Sequence, residues 1–170
     1  GMKQRVLTAM ATALKPSLLL ADEPTTALDV TIQEQILGLF ADIRDQLGTA
    51  IVLVTHDLGV VRRLCDRVLI MYAGRIVESG ATESIFTAPR HPYTEALLAS
   101  IPRVGEDIDR LRAIDGQIPD LSNLPPGCAF TPRCPQRMPR CAEYPPVFGT
   151  PGATVHCWLH ETPQDRAGTA

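Results

Sequence analysis

The sequence predicts an α/β fold with a loop-rich appendage, on three observations. Two short apolar runs, Leu18-Leu19-Leu20-Ala21 and Ala50-Ile51-Val52-Leu53-Val54, each end in polar residues. Such runs fit strands buried on both faces of a parallel sheet. Between them lies a stripe at helical spacing: Ile32, Ile36, Leu37, Leu39, Phe40, Ile43 and Leu47. Near residue 100 the composition then changes, since residues 101–170 hold most of the 15 prolines and four of the five cysteines.

Each element follows in chain order. Met2, Val6, Leu7, Met10, Ala11 and Leu14 keep helical spacing until Lys15-Pro16 stops them. The first apolar run follows as a strand, the stripe as a helix with Gly48 as its C-cap, and the second run as a strand ending at Thr55-His56-Asp57. A short helix through Val60, Val61 and Leu64 leads to a strand over residues 67–72. Ala73-Gly74 is a tight turn into residues 75–78, which makes a hairpin at a sheet edge. Thr82 is read as the cap of a brief helix through Ile85-Phe86, and Pro92 as the first turn of a helix over residues 93–100. Residues 164–170 read as a frayed tail.

Length and composition narrow the class. The 170 residues, 45% of them hydrophobic, suffice for one ordinary core. A net charge of −3 and a pI near 5.8 leave no basic stripe for nucleic acid. No apolar run approaches the roughly 18–20 residues that cross a bilayer, and no charged-then-apolar leader is seen, so a soluble or peripheral protein is expected. Gly1-Met2 fits either a tag remnant before a start methionine or the continuation of a glycine-rich turn.

Asp22-Glu23 closes the first strand at the carboxyl edge of the sheet, where α/β folds bind ligands. Side chains alternate along a strand, so the two carboxylates have different tasks: one suits Mg²⁺, the other an attacking water. Phosphoryl transfer to water needs both charge neutralisation and a group that orients the nucleophile. A pair of solvated carboxylates is the plain alternative. His56 ends the next strand run, 33 residues after Glu23, and would stand beside the pair if the strands are neighbours.

Together these residues resemble the nucleotide-binding domain of ABC transporters. Residues 18–23 match its Walker B pattern, Thr26-Ala27-Leu28-Asp29 its D-loop, and Thr55-His56-Asp57 its switch-histidine motif. Gly1-Met2-Lys3-Gln4-Arg5-Val6 resembles the end of the LSGGMxQRV signature. The resemblance implies the C-terminal part of a P-loop-type domain that uses ATP and Mg²⁺. Asp22 would act on Mg²⁺, Glu23 would be the catalytic base, and His56 would sense the γ-phosphate. Asp29 would contact the opposite subunit, and Gly1, if native, would be the signature remnant facing the partner's ATP. No GxxxxGK followed by Ser or Thr occurs in these residues, so the chain alone is expected not to hydrolyse ATP.

Pro89-Arg90-His91-Pro92-Tyr93-Thr94 resembles the HPY segment of the oligopeptide/dipeptide (peptide/nickel) importers. Physically it is a turn plus a Pro-initiated helix, and a structural role is expected for it. The resemblance puts a partial ATPase domain at residues 1–86 and the importer C-terminal region at 87–170. It implies a second ATPase subunit, membrane permease subunits and, indirectly, an extracytoplasmic peptide-binding protein. The place would be the cytoplasmic face of a bacterial plasma membrane.

Cys128, Cys134, Cys141 and Cys157 stand at gaps of five, six and fifteen residues. Disulfides do not suit reducing cytosol, whereas a four-cysteine site would fold a proline-rich segment that lacks a core. Zinc usually shows tighter CxxC knuckles, and a 4Fe–4S cluster tolerates varied spacing. Similar importer tails hold such a cluster, which the resemblance implies here with Zn²⁺ or free thiols as alternatives. His91, His156 and His160 are not read as strong ligands, and Cys65 is read as a packing residue. Two rivals remain: a non-transport ABC ATPase, and a non-enzymatic metal-binding remnant.

Overall fold

The computed structural model describes residues 1–101 and 113–163; the expected frayed tail at 164–170 lies outside them. Two compact units divide at Cys65/Asp66, the first running Gly1–Cys65.

In the first unit the order is α1 (Met2–Thr12), β1 (Leu18–Asp22), α2 (Val30–Leu47), β2 (Ala50–Val54) and α3 (Leu58–Leu64). β1 and β2 pair in parallel from Leu18↔Ala50 to Asp22↔Val54, so both strands end level. α2 begins where Asp29 Oδ1 accepts the Ile32 N–H at 2.9 Å, and ends at Gly48 with φ 67°. Its stripe buries Ile36, Leu37, Phe40 and Ile43 against Leu19, Ala21, Val60 and Leu64. Fully burying each large side chain contributes about 1.5–3 kcal/mol, so this stripe holds the unit together. Cys65 packs at the margin of this core, as expected.

One expectation for this unit is corrected. β1 is buried on one face only: Leu19 and Ala21 point inward, while Leu18 and Leu20 are 49% and 72% exposed. The apolar stripe of α1 is also bare, with Met2, Val6, Leu7 and Met10 exposed and Thr8 buried instead. Among the described residues no layer covers either face.

In the second unit β3 (Arg67–Tyr72) and β4 (Arg75–Ala81) form the expected hairpin, with Ala73 and Gly74 both at positive φ as a tight hairpin turn requires. The tail is not only loops. It adds β5 (Phe148–Thr150) and β6 (Ala153–Val155), giving an antiparallel sheet in the order β3-β4-β6-β5. The hairpin edge is therefore covered. A register shift at Ile70/Met71 pairs Ile70 with Glu78 and Met71 with Ile76, leaving Val77 extra. That bulge turns the neighbours Val77 and Glu78 both inward. α4 (Thr82–Thr87) follows; Thr82 is its first residue, and Ala81 occupies the cap position with no side-chain bond. α5 (Pro92–Ala99) starts on Pro92, with His91 as its N-cap.

Candidate functional site

At the carboxyl ends of β1 and β2 the chain assembles a polar edge. Asp22, the last residue of β1, is exposed. Glu23 leaves the strand in the left-handed region, φ 43°, while its N–H donates to Val54 O at 2.8 Å. A non-glycine residue there is uncommon and costs free energy, about 1–3 kcal/mol, and it re-aims the side chain. The Glu23 carboxylate receives the Thr26 hydroxyl on Oε2 at 2.8 Å and stands 3.0 Å from His56 Nδ1 through Oε1. The Thr26 hydroxyl, then His56, hold its carboxyl below its ordinary value of 4.5. The level strand ends explain the contact: β2 stops opposite Asp22, and His56 follows two residues later.

Thr26 escaped sequence reasoning as a partner of Glu23. Its signal was the spacing of three residues across a turn, which also closes a backbone bond from Thr26 N to Glu23 O at 3.2 Å. Asp57 Oδ1 caps α3 through Gly59 N and Val60 N, and its Oδ2 accepts Gln33 Nε2 at 3.0 Å, tying α3 to α2. Asp29 stands at the N-terminus of α2, its Oδ1 engaged in the cap. Gly1 caps α1 without a side chain, and a Cβ there would lie 2.7 Å from Ile32 Cγ2.

The second unit gathers Cys128, Cys134, Cys141 and Cys157 around one cavity, whose wall includes His91 and Phe130. A 3₁₀ turn at Thr131–Arg133 separates Cys128 from Cys134, and another at Pro139–Ala142 carries Cys141. Cys128 N–H donates to Cys141 O at 3.1 Å, which brings those two segments together. Gly127, at φ 77°, permits it, since a Cβ there would meet Cys141 O at 2.3 Å. Cys157 precedes the turn Trp158–His160, which Trp158 Nε1 anchors to Glu143 O at 3.0 Å. Arg140 stacks over the Trp158 ring and pairs with Glu161 at 2.6 Å.

All five cysteines are free thiols. Burial pushes the thiols of Cys128 and Cys134 up and that of Cys157 to about 11. Among the described residues no group of three or more His, Cys, Asp or Glu side chains forms a ready ion site. What the fold supplies is four cysteines lining one cavity.

The HPY segment meets this cavity. Burial, with His160 and His156 nearby, pushes His91 down to about 4. Its Nδ1 accepts the Tyr93 N–H at 3.0 Å, and its Nε2 lies 3.9 Å from Cys128 Sγ. The buried Glu78 carboxylate accepts the N–H groups of Arg90 and His91 at 2.8 and 3.0 Å. His160 Nε2 donates to Arg90 O at 2.7 Å. His156 is not part of the cavity wall; its N–H donates to Val77 O.

Residues 77–141 match the family described as "Oligopeptide/dipeptide transporter, C-terminal region". Residues 1–62 match "AAA domain, putative AbiEii toxin, Type IV TA system". The chain is 52% identical over 163 residues to the oligopeptide transport ATP-binding protein AppD of Bacillus subtilis, covering 95% of this chain and 50% of that protein. It is 48% identical over 169 residues to the dipeptide transport ATP-binding protein DppD of the same organism, covering 98% and 50%. It is 51% identical over 162 residues to a probable peptide ABC transporter ATP-binding protein of Sinorhizobium fredii, covering 93% and 48%. It thus spans about half the length of these curated relatives. In class, the fold and the sequence are those of an ABC-type ATP-binding protein. More narrowly, its similarity is to the ATP-binding subunits of oligopeptide and dipeptide transporters. No helix among the described residues is long and apolar enough to cross a membrane.

Proposed function

We propose that the chain is the C-terminal half of the motor subunit of an ABC importer for di- or oligopeptides. The observation that carries this reading is the Glu23–His56 contact, 3.0 Å between the ends of adjacent parallel strands. Glu23, ionised at neutral pH and held by Thr26 and His56, is the base that takes a proton from the attacking water. Asp22, exposed at the strand end, is the residue that would hold Mg²⁺, whose charge offsets that of the phosphates. His56 faces the γ-phosphate, Asp29 faces a second ATPase subunit, and Gly1 belongs to the signature turn that faces the partner's ATP. The bare faces of α1 and of the β1–β2 sheet support a further layer of the same domain, which would carry the phosphate-gripping loop. Membrane permease subunits, and through them an extracytoplasmic peptide-binding protein, complete the assembly on the cytoplasmic face of a bacterial plasma membrane.

The test compares wild type with Glu23→Gln in the full-length subunit reconstituted with its permease. Turnover is expected to fall by about 10²–10⁴, the usual worth of a general base. The 170-residue chain alone is expected to show no Mg²⁺-dependent hydrolysis above its own Glu23→Gln control. Equal turnover in the full-length pair would refute the role of Glu23; hydrolysis by the short chain would refute the need for a further layer.

For the tail we infer a thiolate-bound 4Fe–4S cluster held by Cys128, Cys134, Cys141 and Cys157. The supporting observation is that all four cysteines line one cavity. One zinc ion would hold its sulfurs about 3.8 Å from one another, given Zn–S near 2.3 Å, and usually comes with tighter CxxC knuckles than these gaps offer. When bound, the cluster supplies a cross-link for a proline-rich segment and a one-electron couple. Iron and sulfide analysis after anaerobic purification tests this; stoichiometric zinc would refute it.

A further inference from the structure

The HPY segment and the cysteine cavity meet at a single pair of atoms. His91 is 1% exposed, and its Nδ1 accepts the Tyr93 N–H. A ring nitrogen that accepts a backbone N–H carries no proton, so the proton of this ring sits on Nε2. That nitrogen faces Cys128 Sγ at 3.9 Å, the long end of N–H···S contacts. The backbone of each partner is held in place. Glu78 holds the His91 backbone, Phe130 flanks the ring at 6.1 Å between centroids, and Cys128 is pinned to Cys141 O.

We propose that His91 donates from Nε2 to the Cys128 sulfur and positions that ligand on the cavity wall. The HPY histidine then has two tasks, one on each nitrogen: Nδ1 starts α5, and Nε2 orients a cysteine. The contact itself stands on the geometry alone, while its consequence in loaded protein rests on the cluster reading above. A hydrogen bond to a cysteine sulfur favours the state with more negative charge there, so it favours the reduced form of whatever the sulfur binds. His91 is thus a positioning residue with an electronic effect.

Two measurements decide it. Nitrogen-15 NMR of the 170-residue chain without iron reads the ring directly. We expect His91 protonated on Nε2 and bare on Nδ1, with a shift of the Nε2–H resonance in Cys128→Ala that Cys157→Ala does not match. An Nδ1-protonated ring, or no response to Cys128→Ala, would overturn the proposal. The second measurement is a redox titration of chain reconstituted anaerobically with Fe²⁺ and sulfide, as wild type and His91→Asn. Asparagine keeps a capping oxygen for Tyr93 N–H but lacks a nitrogen that reaches Cys128. At equal iron content and a fixed potential, the reduced-to-oxidised ratio is expected to fall by about three- to tenfold, tenfold being 59 mV for one electron. His91→Gln, whose amide extends further, should recover part of the loss. An unchanged midpoint at equal iron content would overturn the electronic effect. If wild type binds no iron, the cluster reading fails, and the NMR result alone decides the His91–Cys128 contact.

Discussion

Glu78 offers the sharpest test of how the second unit is built. Its carboxylate is 1% exposed and accepts two backbone N–H groups, from Arg90 at 2.8 Å and from His91 at 3.0 Å. Hydrogen bonds to a charged acceptor contribute about 1.5–3 kcal/mol each, so the pair is worth roughly 3–6 kcal/mol gross. Removing a buried carboxylate also removes the cost of desolvating it, which moves the net effect toward the lower end. Glu78→Gln keeps one acceptor and turns an N–H₂ toward the other N–H, for an expected loss of about 2 kcal/mol. Glu78→Ala leaves both N–H groups unpaired and should cost about 3–4 kcal/mol. Trp158 is the sole tryptophan and lies in this unit, so urea unfolding followed by its fluorescence reports the right transition. With an m-value of about 1–3 kcal/mol/M the midpoint should drop by roughly 1 M or more. Losses within about 0.5 kcal/mol, the scatter of ordinary surface substitutions, would refute the clamp.

The carboxyl of Glu23 should titrate below its ordinary 4.5 in a carbon-13 NMR series, and Thr26→Ala should return it toward that value more than His56→Ala does. Because its folded value is lowered, the stability it contributes is present above about pH 4.5 and lost as pH falls through the folded value. A Glu23 midpoint unmoved by Thr26→Ala would show that the hydroxyl does not hold the carboxylate. Gly127→Ala forces a side chain into a positive-φ position and toward Cys141 O. The backbone penalty alone is about 1–2 kcal/mol, so a total above about 2 kcal/mol is expected from Trp158 fluorescence, together with faster alkylation of the cavity thiols. An unchanged midpoint would mean that the Cys128 and Cys141 segments are not held this closely.

How much of this was legible depends on whether the signal is local. The α2 stripe predicted its helix, its buried face and its Gly48 cap, because periodicity over 18 residues averages out single exceptions. The strand runs and the hairpin turn were legible for similar reasons. β5 and β6 were not, since three residues per strand carry no measurable alternation and their partners lie far away in sequence. The burial of Glu78 was also hidden: a charged residue in a strand reads as outward-facing until a one-residue bulge, visible only in the pairing register, turns it inward. The continuous apolar run of β1 suggested a strand covered on both faces, while burial depends on which partners are at hand.

By itself, then, the sequence determined the chemistry available: an Asp-Glu pair after one strand, a histidine after the next, four thiols in a proline-rich tail. Residue type and spacing along the chain are enough for that, because strand and helix periods are local properties. Only the tertiary structure decided which of these groups meet. Glu23 reaches His56 because two parallel strands end level and a left-handed residue re-aims one side chain. Histidine 91, expected to serve only as structure, stands against Cys128 because a buried carboxylate from the bulged strand holds its backbone there. Contacts between residues 37 positions apart are set by packing and by the need to pair every buried polar group, and neither is written in local sequence.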